Sequence, residues 1–287
     1  MSISVGKKIS GFIKIWLVKI SPKLEASIHY FYLYKEILNW KRPQDNINAK
    51  LQWLKIYKYY NNESVTMCAD KYMVRKWMEN KELSMYMPKL YFVCDKPESI
   101  VWESLPEQYV VKCNHACRTN IIVKDKSTLI PSEAVEQLNK WLKIDYWKQG
   151  ELQYKFIKKK IIIEEYLGDG ENLKTYKFFC FNGIPRVLYL SMNEDKYIDY
   201  YDMDFNRLPY SATGHLNYPG ILQKPDNFEI LVDIAKRLCE DFPFVRVDLY
   251  DSFGKIYLSE MTFLPTGGFI SINPHEVINQ WGKWLEI

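Results

Sequence analysis

The sequence predicts an α+β fold. Apolar residues recur with helical spacing in the first 60 residues, whereas later segments alternate apolar and polar residues with the period of two that is typical of strands. The sequence contains no internal repeat, low-complexity tract or long linker. A chain of 287 residues can bury a large core and allows more than one domain.

The first elements are predicted to be helices. Residues 11–20 form an apolar run that is too short and too interrupted by lysine to cross a membrane, and no signal-peptide cleavage site follows it. Packing against the protein body is favoured, and peripheral membrane contact through residues 7–20 is the open alternative. Helical patterns follow at residues 24–40 and 49–60, the second with Trp53, Ile56, Tyr57 and Tyr60 on one side.

The middle of the chain mixes both element types. A helix is predicted at residues 70–78, a second begins at Pro131 with Leu138 on its inner face, and a third is capped by Asp226 and buries an apolar face. That face comprises Phe228, Leu231, Ile234, Ala235 and Leu238. Strands are predicted at residues 88–93, 109–112, 120–124 and 161–163, and a hairpin at 176–181 and 185–192 around Asn182-Gly183.

The most informative stretch is residues 244–270, which predict two strands around a turn near Gly254. Period two places Arg246 and Asp248 on one face of the first strand, and Glu260 and Thr262 on one face of the second. An antiparallel hairpin would hold Asp248 and Glu260 roughly 5–8 Å apart. Carboxylates that close repel unless a cation lies between them, and oxygen ligands suit Mg²⁺. The alternative is a surface hairpin with solvated acids.

Composition narrows the function classes. A net charge of +4 from 39 basic and 35 acidic residues is too balanced to predict a nucleic-acid partner. The six cysteines show no CxxC pairing, which favours free thiols in a reducing cytoplasm. Cys113, His115 and Cys117 lack the second ligand pair of a structural zinc site.

The last hairpin resembles the metal-binding end of the ATP-grasp fold. Arg246 and Asp248, then Glu260 and Thr262, then Pro265 and Gly267-Gly268 follow that superfamily's order of R-x-D, E-x-N and a Pro/Gly turn, with threonine in place of asparagine. Three upstream segments also resemble superfamily motifs: the DK pair at Asp70-Lys71, the strand ending at Lys112, and the adenine hinge at residues 163–167.

A closer resemblance is to the TupA-like branch, named for teichuronopeptide biosynthesis and found with capsule and surface-polysaccharide genes. Residues 48–55, 112–115, 120–126 and 177–183 carry this resemblance, which extends from about Leu38 to the C-terminus. It implies an ATP-grasp fold whose two α/β lobes clasp ATP. The expected divisions are a helical extension at 1–62, an N-terminal lobe with a phosphate loop at 63–165, and a C-terminal lobe with a metal site at 166–287.

The resemblance also assigns roles. Lys71 and Lys112 would neutralise the ATP phosphates, Lys177 would reach the γ-phosphate or the acid substrate, and Arg246 would clamp a carboxylate or the migrating phosphoryl group. Mg²⁺ would be held by Asp248, Glu260 and Thr262. The remaining expected ATP-binding residues belong to the phosphate loop and the adenine hinge: Asn114, His115, Arg118, Glu164, Glu165, Tyr166 and Leu167.

One departure concerns the phosphate loop. That loop is rich in glycine in the family, whereas this chain has Ala116-Cys117-Arg118-Thr119. Without glycine, fewer backbone conformations are open and side chains can block the approach of phosphate, although Arg118 could contact phosphate directly.

The resemblance implies an ADP-forming carboxylate–amine ligase in the cytoplasm or at the inner face of the membrane. Its expected partners are ATP, a carboxylate-bearing sugar or glycan such as a uronic acid, and an amine or amino acid, which join through an acylphosphate. One alternative is a glycosyltransferase using Asp202 and Asp204 as a DxD motif, and another is a binding protein that has lost the chemistry. His215 and His275 are interpreted as structural histidines.

Overall fold

The computed structural model of the chain describes residues 13–168, 173–192 and 195–287. Residues 7–12 of the segment with an expected membrane contact therefore lie outside the described residues. Within the described part, every helix is too short or too polar to span a bilayer.

In the described part of the chain, six helical segments longer than three residues precede the first sheet. Residues 13–20 form helix α1. The others are α2 (Pro22–Tyr34), α3 (Ile47–Leu54), a π-helical turn (Lys55–Tyr59), α4 (Glu63–Ala69) and α5 (Val74–Asn80).

The prediction of one regular helix at residues 49–60 is wrong in its last turn. The π-helical turn changes which side chains face inward, so that Lys55 and Tyr59 are buried while Tyr57 and Tyr60 are 46% and 42% exposed.

The first sheet has four antiparallel strands in the order β1-β4-β2-β3. These strands are β1 (Leu90–Cys94), β2 (Tyr109–Cys113), β3 (Asn120–Val123) and β4 (Ile161–Glu165). Helix α6 (Pro131–Leu142) packs against this sheet through its buried Leu138, as predicted. Ile161 and Ile163 of β4 contribute to the same core, so this lobe has an apolar cluster of its own.

The second sheet has five antiparallel strands in the order β10-β9-β5-β6-β7. They are β5 (Leu173–Phe181), β6 (Ile184–Met192), β7 (Tyr197–Tyr201), β9 (Phe244–Ser252) and β10 (Lys255–Thr262). Helix α7 (Phe228–Cys239) packs on one face of the sheet, and its five predicted inner residues are all fully buried. The predicted cap at Asp226 is wrong, because α7 is preceded by Asn227 and has no side-chain cap.

Both predicted hairpins of this sheet are confirmed. Asn182 and Gly183 adopt positive φ angles of 48° and 76° between β5 and β6, and Phe253 and Gly254 do so between β9 and β10. The β9–β10 register also shifts between Leu258 and Glu260, which marks a β-bulge. Because of this bulge, strict alternation along β10 does not predict which of its side chains lie on the face of the sheet opposite α7.

The N-terminal helices pack onto the C-terminal part of the chain. Helix α3 contacts α8 (Val277–Trp284). The Asn48 side chain bonds both the N–H and the C=O of Ile270, each at 2.9 Å. Two further short strands, β8 (Ser211–Ala212) and β11 (Ile272–Asn273), pair beside α8. The helical extension is thus part of the same folded body as the second sheet.

Candidate active site

Charged side chains form one row across the second sheet. Lys177 of β5 pairs with Asp248 of β9, and Asp248 pairs with Glu260 of β10, so the three side chains share the face opposite α7. The β-bulge produces the last pairing, because uninterrupted alternation would place Glu260 opposite Val247, on the core side. The predicted proximity of Asp248 and Glu260 is confirmed.

Arg246 binds both acids of the row. Its Nε and Nη2 donate to the two oxygens of Asp248 at 2.7 and 2.6 Å, a bidentate pair. Nη2 also lies 3.1 Å from Glu260 Oε1 and from Thr262 Oγ1, and the Thr262 hydroxyl donates to the same Glu260 oxygen. The four predicted residues of the hairpin therefore form one hydrogen-bonded group.

The two carboxyl groups differ in their electrostatic surroundings. Burial raises the pKa of Asp248 to about 6, against the opposing charge of Arg246. Burial also acts to raise the pKa of Glu260, but the positive charges of Lys71, Arg246 and Lys177 outweigh it and lower the pKa. Glu260 is consequently ionised at neutral pH, and the lysine that acts on it most strongly, Lys71, comes from the segment between α4 and α5.

Lys71 and the loop after β2 lie near this row. Lys71 Nζ donates to the Ala116 carbonyl at 2.9 Å, and its backbone N–H donates to the Asn114 carbonyl. Cys117 of the same loop is close enough to Glu260 for that charge to help burial raise the pKa of the thiol. The loop, Lys71 and the acid row therefore converge on one region.

Lys112 is held in an ion-paired triad. Its Nζ donates to Glu164 Oε2 at 2.8 Å, and Arg75 Nη2 donates to Glu164 Oε1 at 2.6 Å. Glu164 is 3% exposed, and the charge of Lys112 is the leading influence that keeps its pKa low despite burial. Tyr250 of β9 is also near enough to affect the pKa of Lys112, so the two sheets face each other here.

The other predicted loop residues differ in accessibility. Asn114 is fully buried and bonds Asp70, Lys158 and the backbone N–H of Lys160, so its side chain fixes the base of the loop. His115 is 2% exposed, and burial lowers its pKa to about 4. Arg118 is exposed and has a φ of +56°. Of these loop side chains, only that of Arg118 is positioned to meet a ligand.

The predicted adenine hinge continues from the end of β4. The backbone of Glu164 pairs with both neighbouring strands, and the N–H of Glu165 donates to the Lys89 carbonyl. Tyr166 and Leu167 follow the strand, and the Leu167 carbonyl accepts the Ser252 hydroxyl. Backbone contact with a base is thus open mainly at Tyr166 and Leu167.

The donor set fits magnesium. Asp248 and Glu260 supply two carboxylates, and Thr262 a hydroxyl, all hard oxygen donors within one hydrogen-bonded group. Among the described residues there is no group of three or more His, Cys, Asp or Glu side chains that could enclose a metal. A site with two carboxylates therefore needs oxygens from another molecule, as Mg²⁺ sites that use substrate phosphates do.

Comparison with known families identifies the fold. The TupA-like ATPgrasp family matches residues 49–285, which is most of the chain and includes every site residue described above. The chain belongs to the TupA-like ATP-grasp family. The predicted family and the predicted α+β ATP-grasp fold are therefore confirmed.

Solved structures similar to this TupA-like protein include three ligases. D-alanine–D-alanine ligase from Bacillus anthracis is 17% identical, with 70% of this chain and 58% of that chain covered and a TM-score of 0.41. The enzyme of the same name from Helicobacter pylori is 12% identical, with 84% of this chain and 69% of that chain covered and a TM-score of 0.46. L-amino acid ligase from Bacillus licheniformis is 14% identical, with 88% of this chain and 55% of that chain covered and a TM-score of 0.45.

The TupA-like chain spans little more than half the length of the Bacillus anthracis ligase. No curated protein matches the chain.

The TupA-like chain also has polar residues at the site that the sequence pattern did not single out. Glu151 is 7% exposed, and its pKa is raised to about 7 by burial and by the charge of Glu260. Lys55 is 1% exposed. Lys55 does lie within the 48–55 motif of the family resemblance, but neither residue stands out from sequence because burial of a charge is a tertiary property.

The DxD motif has a local structural role. Asp202 Oδ1 accepts the backbone N–H groups of Asp204 and Asn206 at 3.0 and 2.8 Å, and Asp202 Oδ2 accepts the Asn206 amide. These bonds describe an Asx turn directly after β7. His215 likewise has a local partner, since its Nδ1 lies 2.6 Å from the Asp195 carbonyl oxygen.

Proposed function

We propose that this protein is an ATP-dependent, ADP-forming carboxylate–amine ligase. The observation that carries the proposal is the convergence of Lys71, Arg246, Asp248 and Glu260 between the two sheets. A lysine ammonium beside a guanidinium and two acids suits the binding of a metal triphosphate next to a carboxylate.

Each group would have a distinct task. Asp248, Glu260 and Thr262 would hold Mg²⁺, which neutralises phosphate charge when bound. Lys71 and Lys112 would bind phosphate oxygens, and Tyr166 and Leu167 would bind the base through their backbone. Arg246 would orient the acceptor carboxylate for attack on the γ-phosphorus, giving an acylphosphate and ADP. An amine then displaces phosphate from the acyl carbon to form the amide.

The substrate class rests on family membership. The TupA-like family is named for teichuronopeptide biosynthesis, so a uronic acid of a surface glycan is proposed as acceptor and an amino acid or small amine as nucleophile. The nearly balanced charge of the chain gives no support to a nucleic-acid partner.

The test is ADP release with candidate uronic acids and amines. We expect release to require both partners and to fall on the order of 100-fold or more in Asp248→Asn, which loses a metal ligand. Asp202→Asn is the matched control and should release ADP like wild type. Equal activity of Asp248→Asn and wild type would exclude this site.

Two alternatives predict different results in binding measurements. UDP-sugar binding that is lost in Asp202→Asn, without ATP binding, would support a glycosyltransferase. Failure to bind Mg²⁺·ATP would favour a binding protein that retains the fold, an outcome motivated by the glycine-poor loop at 116–119.

We also infer that the protein works at an anionic membrane surface. Helix α2 buries only Glu25, Ala26 and Tyr30 and leaves most of its large apolar side chains exposed, whereas a surface helix usually turns its apolar face to the core. Apolar residues of α1, α2 and the following turn are 47–82% exposed: Ile13, Trp16, Ile20, Leu24, Ile28, Phe31, Tyr32, Leu33 and Ile37.

The charges beside this apolar face indicate its occupant. Lys19, Lys23 and Lys35 are exposed, whereas Glu25 is buried and Glu36 is the only exposed acid of residues 13–37. Lysines around aromatic and aliphatic side chains are typical of helices that lie in the interface of anionic membranes.

Vesicle sedimentation tests this location. We expect binding to phosphatidylglycerol-containing vesicles that weakens with salt and is lost in Ile28→Glu/Phe31→Glu. Ile221→Glu, at a residue 91% exposed elsewhere, should bind like wild type. A variant that changes only the oligomeric state would instead indicate that a second copy covers this face.

A further inference from the structure

Four buried polar side chains, one of them near Glu260, lie outside the set proposed to hold ATP. Gln52 and Lys55 come from the N-terminal helices, and Glu151 and Gln153 precede β4; all four are at most 7% exposed. We call these four residues the Lys55 cluster.

Lys55 is a buried cation without a hydrogen-bond partner. Its Nζ lies 5.7 Å from the centre of the Phe269 ring, and no acceptor bonds it among the described residues. Burial lowers its pKa to about 8, and the charge of Lys14 acts in the same direction, against the charges of Glu25 and Glu151. An ammonium in such a position costs folding free energy unless a bound anion pairs with it.

Two acceptors of the cluster also lack donors. Gln52 Nε2 donates to the carbonyls of Gly267 and Gly268 at 3.2 and 2.8 Å, which fixes its Oε1 as the free atom. Gln153 Nε2 faces Glu151 Oε2 at 3.4 Å, and its Oε1 likewise has no donor among the described residues. The cluster therefore offers a positive donor together with acceptors and a carboxylate, and the Lys14 ammonium lies beside it, since a Cβ built on Gly150 would be 4.0 Å from Lys14 Nζ.

Glu151 lies between Lys55 and the acid row. Its pKa responds both to Glu260 and Arg246 and to Lys55, so its carboxyl is near all three. The backbone agrees, because a Cβ built on Gly150 would lie 3.7 Å from Lys55 Nζ. A Cβ built on Gly267, five residues after Thr262, would lie 3.2 Å from the Gln149 carbonyl oxygen.

We propose that the Lys55 cluster binds an α-amino acid as the amine substrate, with its carboxylate on Lys55 Nζ and its amino group toward Glu151. This deepens the proposed ligase function and rests on it. The charges of the amino acid complement the cluster, since its carboxylate would accept a hydrogen bond from Lys55 and its ammonium would donate to Glu151 and the glutamine oxygens. This orientation of the amino acid also suits the reaction, because Glu151 is the residue of the Lys55 cluster that lies near Arg246 and Glu260, so the amino group would point toward the acylphosphate.

The amide-forming step then balances. Glu151 accepts one proton from the ammonium, and the free nitrogen lone pair attacks the acyl carbon of the acylphosphate. The carbon–oxygen bond to phosphate breaks, and inorganic phosphate leaves with that electron pair and takes up the second proton that the nitrogen loses as the amide forms. The α-carboxylate remains on Lys55 throughout.

The test is calorimetric binding of individual α-amino acids in the presence of Mg²⁺·ADP. We expect at least one to bind, and the matched amine without the α-carboxylate to bind at least about tenfold more weakly. Lys55→Met should lose about tenfold or more in affinity for that amino acid and should raise the melting temperature of the unliganded protein, because it removes an unpaired buried charge. Lys58→Met, at an exposed position on the same turn, should change neither quantity.

The outcomes separate this site from the ligase proposal. Binding of Mg²⁺·ADP without binding of any amino acid would overturn the site alone. A Lys55→Met variant that melts lower and binds the amino acid normally would also overturn it, by showing a structural lysine. Lysine-dependent amino acid binding by a protein that binds no nucleotide would leave the site standing and would reject the ligase.

Discussion

At the scale of single residues, Arg118 combines strain with exposure. Its φ of +56° lies in the left-handed region, where a side chain costs roughly 1–2 kcal/mol. Glycine would relieve this cost but would lose roughly 0.5–1 kcal/mol through the entropy of the unfolded chain. We therefore expect Arg118→Gly to raise the free energy of unfolding by about 0.5–1 kcal/mol, measured by urea denaturation.

The same substitution should weaken nucleotide binding if the guanidinium contacts phosphate. An Arg118→Gly protein that is more stable and binds ATP about tenfold more weakly would show that strain is retained for function. Arg118→Lys is the control, because it keeps the charge and the strain. Unchanged ATP affinity in Arg118→Gly would exclude the phosphate contact that sequence analysis expects.

Glu164 is the buried centre of the triad with Arg75 and Lys112. In Glu164→Gln two cations remain without their counter-charge, and breaking a buried pair costs about 3–5 kcal/mol. Both cations are partly exposed, at 20% and 23%, so we expect a loss of about 2–3 kcal/mol in the free energy of unfolding.

The dependence on pH provides the check on this triad. The pKa of folded Glu164 is lower than its usual value, so its stabilisation is present above pH 4.5 and is lost as pH falls through the folded pKa. The stability difference between wild type and Glu164→Gln should therefore narrow below pH 4.5. A difference that persists unchanged at low pH would show that charge is not the cause.

The chemistry-bearing residues were predictable to different extents. Period-two spacing and a turn predict that Asp248 and Glu260 are near neighbours, but the β-bulge, which alternation does not predict, places Glu260 on the face that carries Arg246 and Asp248. Asn114 has the expected position, but its bonds to Asp70 and Lys160 make it part of the loop framework. Lys55 was beyond prediction as a site, since its burial arises from packing between segments distant in sequence.

At the scale of elements, the two hairpins of the second sheet offer a matched pair of glycines. Gly183 and Gly254 have φ angles of +76° and +81°, so alanine is strained equally at both. A Cβ on Gly183 would also meet Glu240 Cα at 3.1 Å, whereas nothing lies within 4 Å at Gly254. We expect Gly183→Ala to destabilise the protein by about 1 kcal/mol more than Gly254→Ala.

Urea denaturation of both variants measures that difference. Because the φ cost is shared, the difference reports only the packing of the β5–β6 turn against the end of α7. Equal losses would indicate that the turn moves away from Glu240 at no cost.

The β-bulge shows what alternation alone leaves out. Ile256 and Leu258 are buried on the core face, yet Glu260 and Thr262 lie with Asp248 and Arg246 on the other face. A strict period of two would put all four residues of β10 on one side. The bulge allows β10 to bury apolar side chains at its start and to direct polar side chains to the other face at its end. No residue type in the sequence predicts a bulge at this position.

At the scale of the whole molecule, the proposed ligand would contact charged groups from three parts of the chain. Lys112 comes from the first sheet, Lys71 from the segment between α4 and α5, and Asp248 and Glu260 from the second sheet. A metal triphosphate complements both sides at once, because phosphates meet lysines and the metal meets acids. Its binding should therefore couple the lobes as well as occupy the cleft.

Thermal melting with a non-hydrolysable ATP analogue tests this coupling. A ligand at 100 times its Kd stabilises the folded state by about 2.7 kcal/mol, which for a chain of this size corresponds to a rise of about 4–5 °C in Tm. We expect that rise with Mg²⁺ present, and a smaller one with EDTA or in Asp248→Asn, because the acid side then lacks its metal. A magnesium-independent shift of equal size would place the nucleotide on the lysines alone and would separate the acid row from ATP binding.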